Sequence, residues 1–313
     1  YGDHRDLHLS IRRQRQMCIR DRYKRTKAMQ SRVNLMLRYE DMLKHPTSFR
    51  VLTGLSLIEF EELAEKVHPE WEAQEKSKEV SGRPHGVGSL KNHIFVMLIY
   101  YRVYVTQAFI GVLYNVNDST ISRCIRRVEK LVVKVIKIKK VRTISQADLE
   151  TIIVDCTEQP IERPTKNQKK FYSGKKKKHT LKTEVIIQHK PGKKARIISV
   201  SKSYAGKEHD YTIRKAEKPF HRDVRTFVDL GYLGLQKEHT ATEIPFKKSK
   251  NRKLTQEEKE YNTALSRIRV TVEHTLARIK NFKIMAERYR NRRKQHNLRF
   301  NVIAGILNFQ AGY

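Results

Sequence analysis

The chain reads as an α/β protein, in which an all-α region precedes a mixed sheet flanked by helices. Three observations predict this. Up to about residue 136 the apolar residues recur mostly at three- and four-residue steps, the period of a helix. From Thr151 onward they gather into short runs bounded by Gly, Pro and charged residues, the mark of strands. Finally, Asp155 and Asp229 each follow such a run, and Glu273 lies within a later helical pattern.

Composition narrows the partner. Of 313 residues, Lys and Arg number 66 against 33 Asp and Glu, a formal net charge of +33. A field of that sign and size points to a polyanion, with DNA or RNA as the default. A basic ribosomal or chromatin protein is the plain alternative, but the apolar patterning supports a folded core that such chains often lack. Cys18, Cys124 and Cys156 lie far apart without metal-type spacing. That fits a reducing cytosol and argues against zinc. No run of 18 apolar residues exists, so no membrane span is expected. No apolar h-region marks a secretory signal.

Residues 1–28 are set apart. Tyr1-Gly-Asp-His-Arg-Asp-Leu-His8 and Met17-Cys-Ile-Arg-Asp-Arg22 look like translated sequencing adapters, and the stretch has no useful periodicity. It reads as a non-native or disordered basic segment, a genuine basic DNA-binding arm being the alternative. Met29 is a plausible start.

Residues 29–142 read as a helical DNA-binding region. Between Arg32 and Val67, Leu52, Leu55, Leu57, Ile58, Phe60, Leu63 and Val67 recur mostly at three- and four-residue steps, and Ser56 with Glu59 has capping-box spacing. Pro69 to Gly88 is polar, contains Gly82, Pro84, Gly86 and Gly88, and reads as a loop. A three-part unit follows over about 90–136. Its first part, Leu90 to Val105, could by periodicity be a buried helix or a strand. Thr106 to Leu113 forms the second part. After the turn Tyr114-Asn-Val-Asn117, a third helix starts at Asn117 or Asp118, residue types whose side-chain oxygens accept first-turn amides. This is the layout of a helix-turn-helix. Ser119, Thr120, Ser122, Arg123, Arg126 and Arg127 would face the major groove from the last helix. The bland alternative is a three-helix packing module with a solvated basic face. The basic stretch Lys134 to Arg142 links this unit to the rest.

Residues 150–313 read as a second, catalytic unit. Strands are expected at Thr151–Val154 (with Pro160 and Pro164 closing it), Lys182–Gln188, Arg196–Val200 and Thr226–Val228. A short helix is expected from Asp210 to about Lys218, where Asp210 would be the cap. After a basic loop from Phe246 to Lys253, Thr255 caps a long helix with Glu258 as its capping-box partner, and Val302 to Phe309 makes a final amphipathic helix.

Two acids at strand ends and a third on a helix can converge on two magnesium ions. Magnesium takes hard oxygen ligands, and one or two carboxylates plus substrate phosphates satisfy it. Two ions about 3.5–4 Å apart activate the attacking oxygen and stabilise the leaving one, the usual equipment for cutting and joining phosphodiesters. Mn²⁺ could replace Mg²⁺. Arg269 lies four residues before Glu273 and Lys280 seven after, so all three share one helical face. Cations there would hold DNA phosphate and orient the acid; ordinary surface salt bridges are the alternative. Lys175, Lys176, Lys177 and Lys178 would line DNA, or else guard a solvated sheet edge. Arg163, Tyr172, His179 and Lys182 are further contact candidates. His209 and His274 read as structural residues, and Gly231 and Gly234 as parts of a tight turn.

Five motifs occur in a set order: Asp155-Cys-Thr-Glu-Gln-Pro-Ile-Glu-Arg-Pro164, Tyr172-Ser-Gly-Lys-Lys-Lys-Lys-His-Thr-Leu-Lys182, Gly206-Lys-Glu-His-Asp210, Asp229-Leu-Gly-Tyr-Leu-Gly234 and the Arg269–Glu273–Lys280 spacing. Together, over roughly residues 48–313, they resemble bacterial insertion-sequence transposases of the DDE superfamily endonuclease type, relatives of the PIF/Harbinger transposases. The resemblance implies a ribonuclease-H-like catalytic fold, Mg²⁺ dependence, binding to terminal inverted repeats and double-stranded target DNA, cleavage followed by strand transfer, and a homo-oligomer on DNA. Its acidic triad maps onto Asp155, Asp229 and Glu273, with Asp210 a rival or supporting acid. Ser266 stands where that family often has Tyr, and Cys156 where Gly is common. A DNA-binding regulator without catalysis and a nuclease that cuts but never joins are the rival readings.

Overall fold

The computed structural model describes residues 37–79, 84–136, 138, 151–249 and 252–313. The opening segment 1–28, the first residues of the 32–67 pattern and most of the basic stretch after residue 136 lie outside the described residues.

The helical region opens with α1 (Tyr39–Met42), α2 (Pro46–Thr53) and α3 (Leu57–Lys76). The expected capping box starts α3: Ser56 Oγ accepts from Glu59 N at 3.2 Å, and Ser56 N donates to Glu59 Oε2 at 2.7 Å. Pro69 does not open a loop. It sits inside α3, which runs on to Lys76. An interior proline costs about 3 kcal/mol, so tertiary contacts must hold the second half. Trp71 packs on His93 with ring centroids 4.8 Å apart, and Lys134 Nζ lies 3.1 Å from Glu70 Oε2.

The next three helices are α4 (Leu90–Val103), α5 (Gln107–Leu113) and α6 (Asp118–Val135). The apolar stretch at 94–99 is thus helical, buried on nearly all sides. Thr106 caps α5 by accepting from Phe109 N at 3.2 Å. Asn117 stands at the cap of α6 without a capping side-chain bond, because Asp118 Oδ1 takes the Ser119 amide at 2.6 Å instead. The turn between α5 and α6 is tight enough that a Cβ on Gly111 would lie 2.6 Å from Val116 O, so only glycine fits there.

The sheet has the order β2-β3-β1-β6-β7. It comprises β1 (Thr151–Pro160), β2 (Tyr172–Ser173), β3 (Lys178–Gln188), β4 (Arg196–Val200), β5 (Tyr204–Ala205), β6 (Arg225–Phe227) and β7 (Thr242–Glu243). Strand β3 runs antiparallel to β1, and its other edge takes β2, β5 and β4 along its length. Strands β1, β6 and β7 are mutually parallel. β1 does not stop at Val154: its pairing with β3 carries it past Asp155 to Pro160. Only its pairing with β6 ends before the acid, at Ile153 opposite Phe227.

Helices α7 (Gln168–Phe171), α8 (Asp210–Ala216), α9 (Gln256–Lys280), α10 (Lys283–Ala286) and α11 (His296–Gln310) complete the chain. Thr255 and Glu258 form the expected box at the start of α9. His209, not Asp210, is the cap of α8.

Alternation along the strands splits the apolar side chains between two faces. Ile152, Val154, Ile186, Ile198 and Val228 pack with Tyr232 and Leu235 on one side. Ile153, Val185, Ile187, Ile197 and Phe227 face the other and merge with α1–α6, α9, α10 and α11 into one large core. α11 is wedged between β4 and α6, so its apolar residues lie all round rather than on one face. Within that core Arg299 Nε donates to Glu129 Oε1 at 2.7 Å, and Tyr101 Oη donates to the same oxygen at 2.9 Å. Among the described residues no helix is long and apolar enough to cross a membrane.

Candidate active site

The site follows from the parallel pair. Ile153 stands opposite Phe227, so two residues further on come Asp155, still within β1, and Asp229, just past the end of β6. Neighbouring strands lie roughly 4.8 Å apart, and equal offsets point both acids to the same face, the one covered by α9. Each is set alike: Asp155 Oδ1 accepts from the Cys156 amide and Asp229 Oδ1 from the Leu230 amide, both at 2.8 Å. Among the described residues, neither Oδ2 has a hydrogen-bond partner.

Burial pushes the Asp155 carboxyl up to about 6. Arg269 and the Cys156 amide pull against that shift, while the charges of Asp229 and Asp210 add to it. A half-buried carboxylate that feels two others is where a divalent cation relieves repulsion.

Helix α9 brings the cations. Arg269 Nη1 lies 3.3 Å from Asp229 Oδ1. Burial and the charge of Lys176 lower the pKa of Lys280, while Asp155 works to raise it. Asp155 therefore feels both ends of a stripe that also carries Glu273. On a helix rising 1.5 Å per residue, Glu273 sits about 6 Å beyond Arg269 and roughly 10 Å before Lys280. The side chain itself is exposed and, among the described residues, makes no hydrogen bond or ion pair. The alternative reading of ordinary salt bridges among Arg269, Glu273 and Lys280 finds no support among the described residues, where Arg269 pairs with Asp229 instead. Among the described residues no three His, Cys, Asp or Glu side chains gather into a group able to hold a metal ion. The donor chemistry of Asp155 and Asp229 is that of a hard divalent cation, which commonly takes one or two carboxylates and completes its shell with water and phosphate.

Two contacts that sequence reasoning missed hold the turn after Asp229. Cys156 Sγ lies 3.2 Å from Tyr232 Oη, tying β1 to the turn. From the other side, Asp210 abuts Gly231 so closely that a Cβ there would lie 2.4 Å from Asp210 Oδ2. Asp210 is itself held by Lys182, with Nζ 3.0 Å from Oδ1; the same ammonium lies 3.5 Å from Glu158 Oε1 and donates to Glu208 O at 2.8 Å. Burial opposes the Lys182 charge, yet Asp210 and Glu158 outweigh it and raise its pKa. Lys182 is thus a buried counter-ion, with its charge already engaged by protein rather than open to DNA. The Asp–Gly pair could have been found from the two glycines after Asp229; nothing local in the sequence announces Lys182 as a partner of Asp210.

The remaining candidates divide by exposure. Lys175, Lys176, Lys177 and Lys178 stand exposed on the β2–β3 turn, and His179 is half-buried beside Tyr172. On α6, Ser119, Arg123 and Arg126 are exposed, with Thr120 and Ser122 half-buried; Arg126 bonds back to Ser122 Oγ at 2.9 Å. Arg127 is drawn away: Nη1 lies 2.7 Å from His85 Nδ1, and the guanidinium stands over Trp71. His85 continues to Glu75 at 3.1 Å. His209 and His274 are exposed, with no part in a metal-binding group among the described residues.

Residues 154–308 match the family model for DDE superfamily endonucleases, and residues 86–138 match that for the helix-turn-helix of the same endonucleases. Over 267 residues the chain is 35% identical to the probable transposase for insertion sequence element IS702 of Microchaete diplosiphon, spanning 84% of this chain and 94% of that protein. No solved structure matches.

Proposed function

The chain belongs to the DDE superfamily endonucleases of the insertion-sequence transposase kind, and on that premise we propose that it binds the terminal inverted repeats of a mobile DNA element, cuts at them and joins the freed ends to target DNA. The observation that supports this reading is that Asp155 and Asp229 each follow by two residues the last paired position, Ile153 opposite Phe227, of two adjacent parallel strands. Family membership adds the helix-turn-helix, whose exposed α6 residues would read the ends while the basic surface holds the backbone. Homo-oligomers on DNA, bringing two ends together, complete the proposal.

Asp155 and Asp229 would hold Mg²⁺, or Mn²⁺ in its place, with Glu273 joining from α9 once DNA phosphate fills the groove. The bound ions supply Lewis acidity at the scissile phosphate. The protein's own part is placement. Asp155 and Asp229 are fixed by the amides behind them, and Arg269 sets the Asp229 carboxylate and offers charge to the phosphorane as it forms. Lys280 and Lys176 bind the phosphates on either side. Water attacks the end phosphodiester first; the released 3′ hydroxyl then attacks the target strand.

The test uses supercoiled DNA carrying the element's ends, with Mg²⁺. Asp155→Asn and Asp229→Asn should abolish nicking, and Glu273→Gln should reduce it strongly, while DNA affinity in EDTA survives. If wild type binds these ends but never nicks them, the chain is a DNA-binding regulator. If it nicks without joining, it is a hydrolytic nuclease.

A further inference from the structure

A cavity of about 860 Å³ opens between the β2–β3 hairpin and the residues leading into α8, with Asp210 the one acid of the proposed site in its lining. Its volume is that of a small-ligand site and excludes a duplex. Tyr172, 43% exposed, forms part of the wall and packs edge-to-face on His179 with ring centroids 5.6 Å apart. Arg163, Lys169, Lys175 and Lys207 surround the opening, and the floor is the Lys182 ion pair with Glu158 and Asp210. Asp210 is common to cavity and active site, since its carboxylate abuts Gly231 next to Asp229.

An aromatic wall within a ring of cations suits an aromatic phosphate ester. The cations meet phosphate, and a base of any sequence has a π-face to lay on Tyr172. Free nucleotides share this chemistry, but the cavity shares Asp210 with the turn that follows Asp229 and Lys175 with the exposed lysine turn, so its occupant should arrive already attached to the strand being cut. We propose that the cavity receives one unpaired nucleotide of the DNA strand running on from the scissile phosphate, its base on Tyr172 and its phosphate among the cations. This rests on the endonuclease reading and adds that the DNA end opens at the site.

The experiment uses the full chain in EDTA, a blunt duplex, and the same duplex with a short single-stranded overhang carrying 2-aminopurine. Wild type should bind the overhang duplex more tightly, by roughly 5- to 100-fold, the range of one base stacked on an aromatic ring, and 2-aminopurine emission should fall on binding. Tyr172→Ala should lose both effects, so that its affinity for the overhang duplex no longer exceeds that for the blunt duplex; Tyr172→Phe should keep both. Equal binding of the two duplexes, or unaltered quenching by Tyr172→Ala, overturns the cavity assignment and leaves the DNA reading standing. Displacement of the overhang by a deoxynucleoside monophosphate at equal concentration overturns it in favour of a free-nucleotide site. Failure to bind either duplex sinks the endonuclease reading itself.

Discussion

Arg269 Nη1 lies 3.3 Å from Asp229 Oδ1, so the long helix α9 meets the end of β6 through a charge rather than through an apolar side chain. Asp229 is partly open to solvent, and such a pair adds little to stability; its value lies in where it puts the carboxylate. Arg269→Ala should leave thermal unfolding nearly unchanged and lower the nicking rate by on the order of 10²-fold, the loss typical of one charge-stabilising donor. Arg269→Lys should recover only part, because an ammonium cannot present the planar fork. Single-turnover nicking with parallel melting curves checks both.

Gly231→Ala should disturb the site through Asp210. A methyl group there would lie 2.4 Å from Asp210 Oδ2, and that carboxylate cannot retreat without leaving Lys182. Displacing the Asp229 turn by about 1 Å should cost roughly 10²-fold in rate. Chemical denaturation separates the cause: Gly231→Ala should destabilise the wild type, yet be nearly neutral in an Asp210→Ser background. Equal cost in both backgrounds would refute the clash.

Glu129→Ala should be among the most damaging changes far from the acids. It strands Arg299, 2% exposed, without the carboxylate that balances it. Breaking a buried pair from one side costs about 3–5 kcal/mol. Urea titration of Glu129→Ala against the double variant Glu129→Leu/Arg299→Met should show the double losing less.

Acid should weaken the fold through histidine. Burial holds His93 and His296 down to about 4. Unfolded histidines, titrating near 6.5, bind protons that the folded ones refuse, so the stability they contribute is complete above about pH 6.5 and is lost towards pH 4, on the order of 3 kcal/mol each. Buried Glu184, raised to about 7 by burial against the pull of Arg214, acts in the opposite sense: its contribution is complete below the unfolded value of 4.5 and is lost as pH rises through 7. Replacing His296, bonded to Gln159 Oε1 at 2.7 Å, by Gln should flatten the profile between pH 6.5 and 4. An unchanged slope in urea midpoints would refute this origin.

DNA affinity should separate neighbouring arginines. Arg123 and Arg126 are exposed on α6, while Arg127 is held by His85. Arg123→Ala and Arg126→Ala should each weaken binding and reduce the salt slope by about one where a phosphate contact is lost. Arg127→Ala should change melting more than the slope. Fluorescence anisotropy across a salt series reads both.

Much of this was legible in the sequence because it is local. The capping boxes at Ser56 and Thr255 need only four residues, and the acids announce themselves by following apolar runs. What escaped was decided at a distance. Pro69 stays helical because Trp71 and Glu70 find partners on other helices. β1 continues past Asp155 because β3 is long enough to pair it. Lys182, cationic in a basic motif, resembles a DNA contact until Glu158 and Asp210 are seen around it. Arg269 and Glu273 share a helical face, yet the arginine pairs across the fold instead.

The last helix, α11, is wedged between β4 and α6 and anchors the latter through Arg299. The module that reads DNA is therefore not a detachable cassette. Excised over residues 86–138, it would expose the apolar flank that α11 covers and leave Glu129 with no counter-charge, so grafting it onto another nuclease should yield an insoluble fragment. On the proposed reading, new end specificity would come from exchanging side chains on the outer surface of α6, with the rest of the chain carried along unchanged.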